Sequence, residues 1–424
     1  MDSPDSDRRE RVPLLVVGGG IAGLTCAIEA AEAGTPVVLI EKSAYLGGHV
    51  AGFHRYFPKL CPPHCGLEIN TRRLRNNPNI EILTLAELES LSGSPGNYQA
   101  VVRIAPRFVT ESCTLCGACE AVCPVQVPDS FNCGIGKKKA VHRPYPMAFP
   151  PQYRIERNAC APGCHLCAEA CKFGAIDLEQ KTAKKTLRVA SVVLATGWEP
   201  YDAAKIDNLG FGRFPNVVTN VMLERMAAPD GPTGGKILRP SDGKPPRSVA
   251  FVQCAGSRDR NHLPYCSGVC CTASLKQATY IREQYPEARI TLFYIDLRTP
   301  GHLEDFAAKT VAANRIELIK GKAGKVEQQA EGHNLLVTAE DVLQGRKSTR
   351  EYDLVVLAVG MVPQSSGLPV HLRMDEFGFL SNGQPGVYAA GCVKRPAEVA
   401  ASIRDATGAA LKAMRNRTIG AGHE

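Results

Sequence analysis

The sequence predicts an α/β chain with two doubly wound lobes and a cysteine-rich module inserted into the first, and three observations predict it. A glycine fingerprint stands between two apolar runs within residues 14–41, two cysteine blocks between 113 and 171 have cluster-ligand spacing, and a second βαβ pattern starts at Arg247. At 424 residues the chain exceeds what one core usually serves, so two or three domains are expected.

In the first lobe Leu14–Val17 is a buried β run, residues 18–23 are a turn, Leu24–Ala33 is helical and Val37–Glu41 is a second strand. Gly18, Gly20 and Gly23 form G-x-G-x-x-G in that setting, which lets backbone N–H groups and a helix N-terminus approach a pyrophosphate. Glu41, with Lys42 beside it, ends the second strand where an acid would accept from a ribose hydroxyl, and Gly47-Gly48 carry the chain back past the diphosphate. Asn79–Thr84, Asn97–Ile104 and Thr186–Leu194 read as strands, the last leading into Ala195-Thr196-Gly197. Asp353–Gly360 is a further strand and turn, and Gly391-Cys392 precedes a helix from about Ala397, with Cys392 where many FAD enzymes carry Asp. Cys26 lies inside the first helix as a small core residue.

The insert, residues 106–184, carries Cys113-x2-Cys116-x2-Cys119-x3-Cys123-Pro124 and then Cys160-x3-Cys164-x2-Cys167-x3-Cys171. Three thiolates of such a block wrap one 4Fe-4S cluster while the fourth reaches a second cluster. The crossed pattern assigns Cys113, Cys116, Cys119 and Cys171 to one cluster and Cys160, Cys164, Cys167 and Cys123 to the other. A disulfide lattice or two zinc sites explain neither the paired blocks nor the proline. Cys160-x3-Cys164 is one residue longer than usual, and Lys172 stands where a second proline is expected. Cys133 lies outside both blocks and is read as free.

In the second lobe Ser248–Val252, Ile290–Ile295 and Ile316–Lys320 are strands, and Thr272–Gln284 and His302–Ala313 are helices. A pyridine-nucleotide disulfide reductase would bind NAD(P) here through its own glycine fingerprint. This chain has Cys254, Cys266, Cys270 and Cys271 instead, at the strand ends where such sheets bind ligands. A thiolate-held cluster or redox thiol site is expected there, and direct reduction by NAD(P)H is not. Cys61 and Cys65, in Cys61-Pro-Pro-His-Cys65, could join a cluster, form a redox pair or pack. The resulting fold class is a two-dinucleotide-binding-domain flavoprotein, disulfide-reductase-like, with a ferredoxin-like insert for two 4Fe-4S clusters. Its expected parts are 1–105, 185–246 and 351–424 for FAD, 106–184 for the insert and 247–350 for the second lobe.

Composition excludes other classes. No uninterrupted apolar run suffices to span a bilayer, and MDSPDSDRRERVP has charges with no apolar stretch behind them, so a cytoplasmic chain is expected. Seventeen cysteines in such a chain point to cofactor ligands rather than disulfides. The formal charge of +8 falls to about +4 once two clusters, at about −2 each, are counted. Basic residues are scattered and aromatics few, which argues against nucleic-acid binding. The run Lys137-Lys138-Lys139 reads as a solvated loop face.

The chain resembles the HdrA family, the flavin subunits of heterodisulfide reductase and its relatives. The residues that carry this are Val17–Gly23, the block from Cys119 to Gly134-Ile-Gly-Lys-Lys-Lys-Ala140, Gln253–Cys271 and Ala390-Gly391-Cys392. Within the family, Tyr56–Asn70 is most similar to QmoA, the flavin-bearing member of the quinone-interacting membrane-bound oxidoreductase complex. That resemblance implies QmoB-like and QmoC-like partners, membrane contact only through partners, and electron passage between the quinone pool and adenylylsulfate reductase in dissimilatory sulfur metabolism. A homodimer is a further option. The alternative it leaves open is the flavin subunit, electron-bifurcating or otherwise, of a soluble heterodisulfide-reductase-type complex. Either way the chain is expected to be an oxidoreductase subunit in which FAD and clusters carry electrons and no catalytic acid, base or nucleophile acts.

Overall fold

The computed structural model describes residues 11–370, 372–381 and 385–419. Contacts divide the chain into two compact units, one built from 1–51, 64–198 and 363–424, the other from 52–63 and 199–362. Residues 199–246, read from the sequence with the FAD-binding part, thus fold with the second unit, because a short strand at 217–219 pairs there.

In the first unit β1 (Arg11–Val17), α1 (Ile21–Glu32), β2 (Val37–Glu41), α2 (His64–Arg75) and β3 (Ile80–Thr84) are followed by β4 (Ala86–Ser94), β5 (Asn97–Ile104) and β6 (Ala183–Leu194). The sheet order is β3-β2-β1-β6-β5-β4. Every residue of β2 is buried, as expected for a parallel strand covered on both faces. The long β6 changes neighbours along its length. Its start is antiparallel to β5, while Val192–Leu194 run parallel to β1 and to the strand Val387–Ala389. The helix Val399–Ile419 packs against α1.

Ile104 and Ala183 face each other across β5 and β6, so residues 105–182 leave and return at neighbouring points. That geometry accepts a large insertion without disturbing the sheet. Within the insert α3 (Ala118–Val122) packs on α4 (Leu166–Glu169). Three cysteines, Cys119, Cys123 and Cys167, belong to its small core with Val109, Tyr153 and Ile155.

The second unit has β7 (Val217–Thr219), α5 (Asn220–Ala227), β8 (Ser248–Ala255), α6 (Cys270–Gln284), β9 (Arg289–Tyr294), α7 (Leu303–Ala313), β10 (Ile316–Lys320) and β11 (Leu354–Val359). The five strands run parallel in the order β7-β11-β8-β9-β10. A three-stranded antiparallel meander covers Ala323–Gln328, Leu335–Asp341 and Arg346–Tyr352. The Thr219 hydroxyl caps α5 by accepting from the Met222 N–H. Between α5 and α6 the buried Lys276 ammonium lies 2.7 Å from the Glu224 carboxylate and donates to the Arg55 carbonyl at 2.8 Å. This pair ties residues 54–55 to both helices, since the His54 N–H donates to Glu224 as well.

Candidate cofactor sites

At Gly18 and Gly23 the turn between β1 and α1 has room for glycine only. A Cβ on Gly18 would lie 2.3 Å from the Ala195 carbonyl oxygen, and one on Gly23 would lie 1.7 Å from that of Gly18. These contacts draw the helix start against the sheet. At Gly20 the nearest atom to such a Cβ is 3.9 Å away, leaving the mouth of the turn open. Gly20 caps α1 without a side-chain bond, and the first turn holds no acid. The first-turn N–H groups therefore remain available to a phosphate, and the cradle fits a dinucleotide.

Glu41 is buried at the end of β2, its carboxylate accepting from the Gly19 N–H at 2.6 Å and the Ser43 N–H at 2.7 Å. These bonds fix it beside the glycine turn and leave lone pairs for a ribose hydroxyl. Lys42 is exposed. Gly47 returns against the fingerprint, donating to the Gly19 carbonyl and bridging to Gly20, with Gly48 next in line. Thr196 donates to the Gln364 carbonyl, and Gly197 accepts from the Gln364 N–H.

The turn at Gly391-Cys392 is organised by a residue that local spacing did not point to. Asp405, on the helix Val399–Ile419, accepts from the Gly391 N–H at 2.9 Å and pairs with Lys394. The Cys392 thiol turns inward to the Ala397 carbonyl and Ser402, and burial raises its pKa. Cys26 is buried in α1, its thiol pushed up to about 12 by burial, an inert core residue.

In the insert Cys113, Cys116, Cys119 and Cys171 line one cavity together with Val109, Tyr153 and Phe173. Burial pushes the Cys119 thiol up to about 11, with Cys113 and Cys171 adding to the rise. Cys167 feels Cys160 and Cys164 in the same way, after burial. Cys123, on the C-terminal end of α3, is buried. Thiols crowded this way resist ionisation until a cation arrives to hold them as thiolates. None of the seventeen cysteines is part of a disulfide. Among the described residues no three His, Cys, Asp or Glu side chains converge as a single ion requires. The cavity shared by Cys113, Cys116, Cys119 and Cys171 fits the ligand set of a 4Fe-4S cluster. Cys133 is exposed, outside both sets.

The second lobe gathers Cys254, Cys266, Cys270 and Cys271. Each of the six pairs among these thiols interacts electrostatically. Cys254 sits at an irregularity in β8 with φ of 56°, a left-handed conformation unfavourable for a side-chain-bearing residue. Cys270 and Cys271 open α6, whose start has no side-chain cap. Burial raises the pKa of Cys270 and Cys271 and brings that of Cys254 to about 11. Within three residues of these cysteines in sequence, the buried side chains of Gln253, Ser257 and Thr272 have polar atoms with no hydrogen-bond partner. Orphaned polar atoms beside a thiol quartet suit a polar metal group. Cys61 is exposed in the loop before α2, and Cys65 is exposed in its first turn.

Lys137–Lys139 is a strand paired with Gln126–Pro128 rather than a solvated loop. Lys138 lies 2.9 Å from the His142 ring and 3.3 Å from Glu156, and Lys139 reaches the Cys123 carbonyl.

Comparison with known proteins agrees with this layout. Residues 16–81 match the NAD(P)-binding Rossmann-like domain and residues 106–129 the 4Fe-4S binding domain. The chain is 37% identical over 419 residues to the HdrA-type chain of the Ferredoxin/F(420)H(2)-dependent CoB-CoM heterodisulfide reductase of Methanosarcina acetivorans, covering 95% of this chain and 52% of that one. It is 37% identical to an iron-sulfur chain of the same type from the CoB--CoM heterodisulfide reductase of Methanopyrus kandleri, covering 94% and 63%. The chain thus spans about half to two thirds of the curated relatives it matches. Thioredoxin reductase from T. acidophilum superposes with a TM-score of 0.55 at 16% identity, covering 96% of this chain and 99% of that one. The fold is thioredoxin-reductase-like, and the chain carries in addition a stretch that matches a 4Fe-4S binding domain. Among the described residues no helix is long and apolar enough to cross a membrane.

Proposed function

We propose, on the premise that this chain is of the HdrA type, that it is a flavin and iron-sulfur electron-transfer component of a multi-subunit oxidoreductase. The observation that carries the reading is the cavity lined by Cys113, Cys116, Cys119 and Cys171 inside an insert borne by a flavoprotein sheet. Gly18, Gly20 and Gly23 would bring N–H groups to the FAD pyrophosphate, and Glu41 would accept from its ribose. Flavin exchanges electrons in pairs or singly and clusters exchange them singly, which is the chemistry these groups supply when bound. The two crossed cysteine sets would hold two clusters, and Cys254, Cys266, Cys270 and Cys271 a third. The protein's own part is to hold, orient and shield, and no acid or base is assigned.

The relatives favour a heterodisulfide-reductase-type complex over the quinone-linked one expected from Tyr56–Asn70. The quinone-linked reading, with adenylylsulfate reductase at the far end, is the narrower alternative and rests on that stretch alone. Co-purification separates them: a hydrogenase or formate dehydrogenase partner supports the first, and a quinone-reactive membrane partner the second.

The quartet is tested by Cys266→Ser in anaerobically reconstituted protein. Loss of one cluster's worth of iron, about four atoms, with flavin retained is expected. Loss of flavin with iron unchanged would refute the assignment.

A further inference from the structure

The two ligand sets of the insert differ in the charges placed against them. Lys139 donates from Nζ to the carbonyl of Cys123 at 2.6 Å, and Arg157 donates from its guanidinium to the carbonyl of Cys164 at 2.8 Å. Both side chains are half-buried. Each cation is thus fixed on the backbone of a residue in the set Cys123, Cys160, Cys164 and Cys167. The neighbouring Lys138 is matched by Glu156, so it contributes little net charge.

At the set Cys113, Cys116, Cys119 and Cys171 the arrangement is different. The Glu120 carboxylate follows Cys119 directly and is held by the Tyr153 hydroxyl at 3.0 Å. Arg143 stands over the Tyr153 ring at 5.8 Å and makes no hydrogen bond to the ligands' backbone. Arg107 is a buried cation that feels Cys113, one terminal guanidinium nitrogen donating to the Ala44 carbonyl and the Thr84 hydroxyl and the other without a partner, so this set has one cation against the Glu120 carboxylate where the other set has two cations. The Ala175 N–H donates to the Cys171 sulfur at 3.3 Å, a milder electrostatic effect than a full positive charge.

Adding an electron makes a cluster more negative, and a nearby cation in a half-buried position lowers the cost of that charge. We propose that Lys139 and Arg157 are positioning residues that make the Cys123, Cys160, Cys164 and Cys167 set the more readily reduced of the insert's two cluster sites. An arriving electron then rests on that side of the insert. The proposal concerns equilibrium potentials, requires no bond to form or break, and rests on the electron-transfer reading above.

The test is a potentiometric titration of the full-length reconstituted chain followed by electron paramagnetic resonance. Cys164→Ser identifies which signal belongs to the set. Lys139→Met should move that signal, the higher of the two in the unaltered chain, to lower potential while the other stays in place, and Lys139→Arg should restore it. Arg157→Gln should shift the same signal independently, which covers the case in which one variant folds poorly. Two clusters present with neither signal shifted by Lys139→Met or Arg157→Gln, or both shifted equally, would overturn the proposal while leaving the electron-transfer reading intact. Absence of cluster iron from the unaltered chain would overturn that reading and the proposal with it.

Discussion

At the scale of single residues, the structure separates groups that serve a cofactor from groups that serve the fold. Gly18 and Gly23 were legible because close backbone approach admits no other residue, so the requirement is written as glycine. The cysteine blocks were legible for a similar reason, since ligand spacing is local. Asp405 and Lys139 were not, because each acts on a backbone group distant in sequence: Asp405 on the Gly391 N–H and Lys139 on the Cys123 carbonyl. Charge patterns alone do not reveal such partners. Glu224 and Lys276 were hidden likewise, and they give a stability prediction. Both side chains are 4% exposed, and Glu224 also accepts from the Gln277 amide and the His54 N–H. Lys276→Met strands a buried carboxylate and should destabilise the second unit by about 3–5 kcal/mol. Adding Glu224→Gln should recover much of the loss, as read from thermal unfolding. Equal stability of Lys276→Met and the unaltered chain would show the pair to be dispensable.

At the scale of elements, the βαβ runs were readable because buried parallel strands are continuous apolar segments. The helix His64–Arg75 escaped notice because only Leu67 and Leu74 are buried along it, too sparse a stripe to show periodicity. β4 buries only Ala86 and Leu88, and the strand Arg346–Tyr352 is mostly exposed and charged, so neither resembles a core strand in sequence. The insert behaves as an element in its own right. Ile104 and Ala183 are already paired, so replacing 106–181 by a short glycine-containing turn asks the sheet only to close a hairpin. Such a chain should keep flavin while losing the iron of two clusters, about eight atoms. Loss of flavin as well, measured by absorbance after desalting, would mean that the insert helps to build the flavin site.

At the scale of the molecule, the chain joins a fold specialised for dinucleotides to cysteine sets specialised for iron. In the second lobe four mutually interacting thiols stand at the end of β8, in the loop that follows and at the start of α6. A dinucleotide-binding fold and a 4Fe-4S binding stretch are thus joined in a single polypeptide that spans only part of its curated relatives. The most direct test is the flavin and iron content of the full-length chain, purified and reconstituted without air. One FAD per chain with about eight iron atoms, or about twelve if the quartet also holds a cluster, is the expected result. A chain without flavin, or with iron well below about eight atoms, would contradict the electron-transfer account.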